Sequence, residues 1–267
     1  MCLILVAWRA HPAFPLVVAA NRDEFYARPT AQAARWPDSS QIIGGRDLEA
    51  GGTWLGVADQ GRFAAVTNVR EPGMAKGELS RGELTRNFLE SRQEPADYLA
   101  TLDYAAYSGF NLLLSDGESL HYASNRGPQA QSLAPGVYGL SNHLLDSPWP
   151  KLIAARQRFS EALQSLPASQ AFFDILRDDE IVPDDQLPNT GVPLEWERRL
   201  SAIFVRSPEY GTRASTLVAV NDQNYRILLR EAGLVGQVLY LEAEAAVVRG
   251  TGIGCFFDDP VHQLMGL

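Results

Sequence analysis

The stretch that decides the fold is Leu-Val-Val-Ala-Ala-Asn-Arg-Asp-Glu at residues 16–24, in which five apolar residues are followed at once by four polar ones. A short apolar run of this kind, with Pro12 and Pro15 just before it, is typical of a buried strand. Four consecutive polar side chains cannot all enter an apolar core, so a turn at the end of the strand would account for them. Loops at strand ends are also where functional sites are built. The stretch therefore predicts a core strand that leads into a candidate site.

The segments around this stretch also predict strands. Residues 2–8 form a second apolar run, which we interpret as a core strand and not as a signal peptide, because no basic segment precedes it and no clear cleavage site follows. Glycine pairs predict turns at 44–47 and 51–52. Residues 53–58 and 62–69 flank Asp59-Gln60-Gly61, which predicts a β-hairpin.

From residue 80 onward, helices and strands come in groups. Ser80 and Glu83 have the spacing of a capping box, which predicts a helix to about Ser91. Helices are also predicted at 95–106, 149–165, 168–177 and 194–202, and strands at 110–114, 119–123, 214–220, 225–230 and 235–241. Grouped strands and helices, without βαβ alternation, predict an α+β fold with antiparallel sheets. No linker-like segment or repeat divides the chain, so we expect one domain over residues 1–267.

Composition excludes several classes of function. The formal net charge is −9, and the basic residues are scattered without a Lys/Arg run, so we expect no nucleic-acid partner. No apolar stretch reaches the ~18 residues of a membrane span. Two cysteines, Cys2 and Cys255, are too few for a disulfide framework or a structural zinc site, so we predict a reducing, cytoplasmic location and no metal.

Cys2 is the first candidate for chemistry. An initiator methionine is normally excised before a small residue, and excision would leave a thiol and a free α-amine on Cys2. That amine has a pKa of roughly 7.7–8.0, so near neutral pH it can act as the base for its own side chain. The alternative is a small, buried, apolar residue at the start of a core strand.

Further polar residues follow or open other predicted strands. Asn68 and Asn142 each end a strand, where an amide could donate to an oxyanion or simply form a turn. Arg213 enters an apolar strand and could equally be a surface arginine at a sheet edge. Beside Asp23, an arginine such as Arg22 could hold a carboxylate through two hydrogen bonds.

These motifs together strongly resemble the NRDE family, which includes proteins similar to transport and Golgi organisation protein 2. The resemblance runs from residue 1 to about 230, and no motif is recognised over 232–267. Besides Met1-Cys2 and Asn21-Arg22-Asp23-Glu24, the matching stretches lie at 44–48, 51–56, 67–72, 80–84, 138–142, 148–151 and 210–213.

The resemblance implies a fold and a set of roles. The family is similar to the choloylglycine and penicillin V hydrolases, which are N-terminal-nucleophile enzymes with a four-layer αββα sandwich of two stacked antiparallel sheets flanked by helices. The implied catalytic residues are Cys2 as the nucleophile, Asp23 to orient the α-amine, Asn68 and Asn142 for the oxyanion, and Arg213 near the thiolate. Those hydrolases carry an arginine directly before the Asn-x-Asp, where this chain has Ala20.

Arg22 instead lies between Asn21 and Asp23. On a strand its side chain would therefore project to the face opposite the side chains of Asn21 and Asp23. Bile-salt-like or penicillin-like substrates are therefore not expected. We expect Asn21, Arg22, Glu24 and His143 to bind the substrate.

Two functions follow as expectations. The first is an N-terminal cysteine hydrolase that cleaves an amide or thioester bond of a small molecule and requires no cofactor. The second is a non-catalytic carrier on the same fold, because the resemblance also extends to relatives linked to haem trafficking and to acyl-CoA or lipid metabolism. For haem, the candidate axial ligands are Cys2 and the four histidines, His11, His121, His143 and His262. His143 stands out among them because it follows Asn142.

Overall fold

The computed structural model describes residues 2–39, 41–221, 226–233 and 238–244. Cys255, His262 and the last residues of the chain lie outside this range. In chain order the strands are β1 (Cys2–Trp8), β2 (Leu16–Phe25), β3 (Thr30–Arg35), β4 (Ile43–Asp47), β5 (Leu55–Ala58), β6 (Arg62–Asn68), β7 (Phe110–Ser115), β8 (Leu120–Ser124), β9 (Gln131–Ser132), β10 (Gly136–Leu140), β11 (Tyr210–Val220), β12 (Arg226–Gly233) and β13 (Val238–Glu244).

These strands form two sheets in which all neighbouring strands are antiparallel. The first sheet has the order β10-β1-β2-β11-β12-β13, and the second has the order β3-β4-β5-β6-β7-β8-β9. The α-helices are α1 (Arg81–Glu90), α2 (Pro95–Ala100), α3 (Pro150–Ala162), α4 (Gln170–Leu176) and α5 (Leu194–Arg199). The predicted α+β class with antiparallel sheets is confirmed.

Three layers of apolar packing connect the sheets and helices. The central layer lies between the two sheets and includes Ile4 and Val18 from the first sheet and Phe63 and Leu113 from the second. Alternate residues on the same strands face the other way, because side chains on a strand alternate between its two faces. On the outer faces, α3 and α4 cover the first sheet and α1 and α2 cover the second. This is the four-layer αββα sandwich that the resemblance implied, and that expectation is confirmed.

The main departure from the predicted elements is β4. The glycine pair predicted a turn, yet Gly44 and Gly45 lie in a strand. A Cβ on Gly44 would stand 2.7 Å from the carbonyl oxygen of Leu55, and a Cβ on Gly45 would overlap the Trp54 ring. The glycines thus permit close approach between strands, which is their other use in a sheet.

Most helices are shorter than predicted but lie where the pattern indicated. Ser80 caps α1 by accepting a hydrogen bond from the Gly82 N–H. The segment predicted as one helix over 95–106 is α2 followed by a separate 3₁₀ turn at Tyr104–Ala106. Within the described residues, no helix is both long enough and apolar enough to cross a bilayer.

Candidate active site at the start of strand β1

Cys2 lies where both sheets come together. It opens β1, it pairs with Arg22 of β2, and β10 runs along the other side of β1. The Ser141 hydroxyl, just after β10, donates to the Cys2 carbonyl oxygen at 3.1 Å. The Thr67 hydroxyl, near the end of β6 in the second sheet, donates to the Ser141 carbonyl oxygen at 2.8 Å. The ends of β6 and β10 are therefore fastened next to the start of β1.

Burial is the largest influence on the pKa of the Cys2 thiol. Burial raises its pKa above the ordinary value for a thiol, and the negative charge of Asp23 raises it further. The backbone N–H of Asp23, which hydrogen bonds to the sulfur, and the charge of Arg22 act in the opposite direction. The residue as a whole is half-buried.

Asp23 is buried beside Cys2 and is held by β11. The Thr212 hydroxyl donates to its Oδ1 at 2.5 Å, and the Tyr210 hydroxyl donates to its carbonyl oxygen at 3.1 Å. Burial raises the pKa of Asp23, whereas the Lys151 charge and the Thr212 hydrogen bond lower it. A buried, oriented carboxylate next to Cys2 is the arrangement that could position an α-amine there.

Asn68 and Asn142 contact each other directly. The Asn142 Nδ2 donates to the Asn68 carbonyl oxygen at 3.1 Å and to the Asn68 Oδ1 at 3.0 Å. The side chain of Asn68 accepts this bond through its oxygen. Its Nδ2 group makes no hydrogen bond to the described residues. The backbone is fixed as well, since the Arg70 N–H donates to the Asn142 carbonyl oxygen at 2.8 Å. The pair thus presents one free amide donor, on Asn68, and supports it from behind with Asn142.

The other residues of the Asn-Arg-Asp-Glu stretch point in two directions. Asn21 is buried, its Nδ2 donates to the carbonyl oxygens of Leu176 and Ile203, and its Oδ1 accepts from Ser215. Its amide group is fully engaged in joining α4 to the first sheet, so we leave it out of the proposed pocket. Arg22 projects to the opposite face, as the alternation predicted, and stacks on the Trp54 ring with the guanidinium carbon 4.4 Å from the ring centre.

Arg213 occupies a β-bulge between β11 and β2. Bulges redirect side chains and are frequent beside functional sites. Its guanidinium donates to the carbonyl oxygens of Phe25 and Arg28 and to the Thr30 hydroxyl. These contacts brace the turn after β2. Arg22 donates to the same Thr30 hydroxyl at 3.1 Å, so Arg213 lies near Arg22. Its role near the thiolate stays a prediction.

One histidine adjoins the site in the described part of the chain. His143 follows Asn142, is exposed, and has its Nδ1 2.8 Å from the Ser147 Oγ. His11 lies beyond the far end of β1, and His121 lies in β8, paired with residues of β7 and β9. Of the three candidate histidines among the described residues, only His143 therefore lies beside the site, and His262 lies outside the described range. No cluster of three or more metal-binding side chains occurs among the described residues.

Sequence reasoning missed a buried ionic cluster behind Asp23. The Lys151 Nζ donates to the carbonyl oxygens of Leu200 and Ala202, and burial lowers its pKa to about 8 while the charge of Asp23 opposes that shift. Next to it, Arg70 NH1 and Glu197 Oε2 form an ion pair at 2.5 Å. The available signal was composition, because Lys151 is one of only two lysines in a chain with 23 basic residues.

A small cavity opens beside this cluster, lined by Arg70, Trp149, Lys151 and Glu197 among others. It encloses about 230 Å³ including its open mouth. Ligand pockets for drug-sized molecules hold about 300–1,000 Å³. The cavity is therefore too small to be the main substrate pocket on its own.

Arg81 is a second residue that sequence reasoning missed. It opens α1, and its NH1 donates to the Gly109 carbonyl oxygen at 3.1 Å. Burial lowers the pKa of Arg81, and the negative charges of Cys2, Glu24 and Glu71 oppose that shift. A partly buried guanidinium thus lies near the thiol. Its sequence signals were its position after the helix cap at Ser80 and its place in the matching stretch 80–84.

Comparison with known proteins gives a consistent result. The model of the family described as Transport and Golgi organisation 2 matches residues 1–234. A bovine Transport and Golgi organization protein 2 homolog is 36% identical over 262 residues, which cover 88% of this chain and 94% of the relative. The human homolog is 37% identical over 245 residues, which cover 83% and 89%. A solved N-acylethanolamine-hydrolyzing acid amidase ortholog from Caenorhabditis elegans aligns with a TM-score of 0.46 at 14% identity, covering 81% of this chain and 92% of that one.

Proposed function

Because the chain belongs to the Transport and Golgi organisation 2 family, and because Cys2 opens a strand beside Asp23, Asn68 and Asn142, we propose that it is an N-terminal cysteine hydrolase. Its substrate is a small molecule with an amide or thioester bond, and it needs no cofactor. The single observation that supports the proposal is this convergence of four residues, from β1, β2, β6 and the segment after β10, at one end of the sandwich. A free thiol nucleophile is suited to a reducing compartment such as the cytoplasm.

The chemistry begins with removal of Met1, which frees the α-amine of Cys2. The amine takes the thiol proton, and the thiolate attacks the carbonyl carbon of the substrate. The Asn68 amide donates to the oxyanion of the tetrahedral intermediate. The protonated amine, held by Asp23, then gives its proton to the leaving nitrogen or sulfur as the bond to carbon breaks. Water then attacks the resulting thioester on Cys2 and loses a proton to the amine. The bond between the carbonyl carbon and the Cys2 sulfur breaks, the acid leaves, and the sulfur takes the proton back from the amine.

We expect Cys2 to be reactive only when its α-amine is free. With a Gly-Ser extension before Cys2, burial keeps the thiol protonated near pH 7, because its pKa is raised. In the Met-free protein, whose mass confirms the loss of methionine, iodoacetamide should alkylate Cys2 faster than it alkylates a model thiol. The extended protein should react about tenfold more slowly than the Met-free form, since reaction requires the thiolate. Peptide mapping separates Cys2 from Cys255.

Equal rates in the two forms, or labelling that occurs mainly at Cys255, would contradict a catalytic Cys2. Retention of Met1 in the native protein would have the same consequence.

A ligand carrier is the second candidate, and the exposed His143, which directly follows Asn142, favours it. The ligand would be haem, or an acyl-CoA or other lipid. For haem, His143 fits the role of an axial ligand: it is exposed, and its Nδ1 contact with Ser147 leaves Nε2 for iron. Cys2 is the alternative to His143 as the axial ligand of the haem iron. Haem would supply only that iron.

If the carrier function is correct, haem should bind the protein at one-to-one stoichiometry with a shift of the Soret band. His143→Ala or Cys2→Ala should then weaken binding by about tenfold or more, because each removes a direct iron ligand. His121→Ala is the matched control, since His121 lies in β8 away from the site. Identical titrations for all three variants and the wild type would exclude both proposed ligands.

A further inference from the structure

The environment of Arg81 indicates what kind of molecule the Cys2 site accepts. The Gly109 carbonyl oxygen receives two hydrogen bonds, one from Arg81 NH1 at 3.1 Å and one from the Val69 N–H at 3.0 Å. Val69 directly follows Asn68, so this carbonyl ties the guanidinium to the end of β6. Arg81 therefore lies next to the end of β6, and its guanidinium is close enough to Cys2 for the charge of that thiol to act on it.

The acidic side chains near Arg81 are already paired with other arginines. Glu71 binds Arg126 through two hydrogen bonds, at 2.6 and 3.1 Å, and also accepts from the Gly109 N–H at 2.8 Å. Glu24 lies 3.8 Å from Arg22 and 3.9 Å from Arg28. These carboxylates contribute to the local field but have their own partners.

Arg81 itself has no acidic side chain within 4.0 Å among the described residues, and only one of its N–H groups makes a hydrogen bond to them. A guanidinium has five N–H donors in a planar fork that suits a carboxylate or a phosphate. Partial burial of a charge is unfavourable unless a counter-charge accompanies it. The group thus has both the free donors and the energetic reason to bind an anion.

We propose that the molecule bound at Cys2 carries an anionic oxygen group, a carboxylate or a phosphate, and that Arg81 binds that group and so determines specificity. The inference rests on the proposed function in one respect, namely that the bound molecule lies against the Cys2 thiol. The anionic group lies at the rim formed by Arg81 and Gly109, and the scissile carbonyl lies next to Cys2 and Asn68.

The test compares two alkylating reagents of nearly equal shape on the Met-free protein. Iodoacetate carries a carboxylate, whereas iodoacetamide is neutral. The ratio of their rates at Cys2 should fall about tenfold in Arg81→Gln, since the variant loses one charge-assisted contact. Glutamine keeps an N–H donor for Gly109, so a purely structural role of Arg81 would leave the ratio unchanged. Arg86→Gln is the matched control, because Arg86 is on the same helix and pairs with Glu90.

A second measurement does not depend on the reactivity of Cys2. Inorganic phosphate is titrated into the wild type and both variants by calorimetry, and its affinity should fall at least about tenfold in Arg81→Gln alone. If the rate ratio and the phosphate affinity are the same in Arg81→Gln as in the wild type, the inference is overturned. That result leaves the hydrolase proposal unaffected. If neither reagent labels Cys2 but phosphate binding depends on Arg81, the hydrolase proposal fails and the anion site is supported.

Discussion

Replacing Asn68 with alanine should lower the rate of acyl transfer to Cys2 by about 10²–10³-fold, the usual cost of removing one oxyanion donor. The reason is geometric, because the Asn68 Nδ2 is the amide donor that its contacts leave free beside Cys2. Asn142→Ala should cost less, since the Asn142 amide already donates to Asn68 and acts through it. The burst of nitrophenolate released from p-nitrophenyl acetate by the Met-free protein measures this step.

Asn87→Ala is the matched control for both variants, because Asn87 is exposed on α1. Circular dichroism should show that all three variants are folded. A burst in Asn68→Ala equal to that of the wild type would exclude Asn68 from the oxyanion site. A larger loss in Asn142→Ala than in Asn68→Ala would reverse the roles that we assign to the two amides.

The largest expected effect on stability is at Glu197. Its Oε2 pairs with Arg70 at 2.5 Å, and its Oε1 accepts from the Thr190 N–H at 2.7 Å and from the Thr190 hydroxyl at 2.6 Å. Glu197→Ala removes all three contacts and leaves a buried arginine without this carboxylate. We expect the free energy of unfolding to fall by about 3–5 kcal/mol, the usual cost of breaking a buried ion pair from one side. Urea denaturation measures the change.

Glu195→Ala is the control on the same helix, since Glu195 pairs with Arg198 and Arg199 at the surface. Its effect should stay below about 1 kcal/mol. The double variant Arg70→Met with Glu197→Leu should recover much of the loss, because replacing both partners removes the buried charge altogether. A loss below about 1 kcal/mol in Glu197→Ala would show that the pair contributes little to the fold.

Local patterns were sufficient for much of the fold. Apolar runs located β1 and β2, the Ser80 cap located the start of α1, and the strands predicted at 110–114 and 119–123 correspond to β7 and β8. The strand β4 was not predictable in the same way, because its glycines are required by Leu55 and Trp54, which lie farther along the chain. The four-layer arrangement came from the resemblance to a family and not from periodicity.

The site was predictable in part. Sequence position alone could suggest that Cys2, Asp23, Asn68 and Asn142 each stand at a strand end, but only the pairing of β1 with β2 and the contacts of Ser141 bring those ends together. Arg81 and Lys151 lie in stretches that match the family, at 80–84 and 148–151, but the sequence assigned them no role. Their significance depends on burial and on which neighbouring carboxylates already have partners, and both are properties of the folded chain.

Burial of Lys151 has a practical consequence for studies of the intact protein. The only other lysine, Lys76, is exposed in the segment between β6 and α1. Amine-reactive dyes and surface-coupling reagents will therefore attach at Lys76 and at the chain's first residue, while Lys151 stays shielded. A single fluorophore linked to Lys76 would give a uniform reporter for ligand screening.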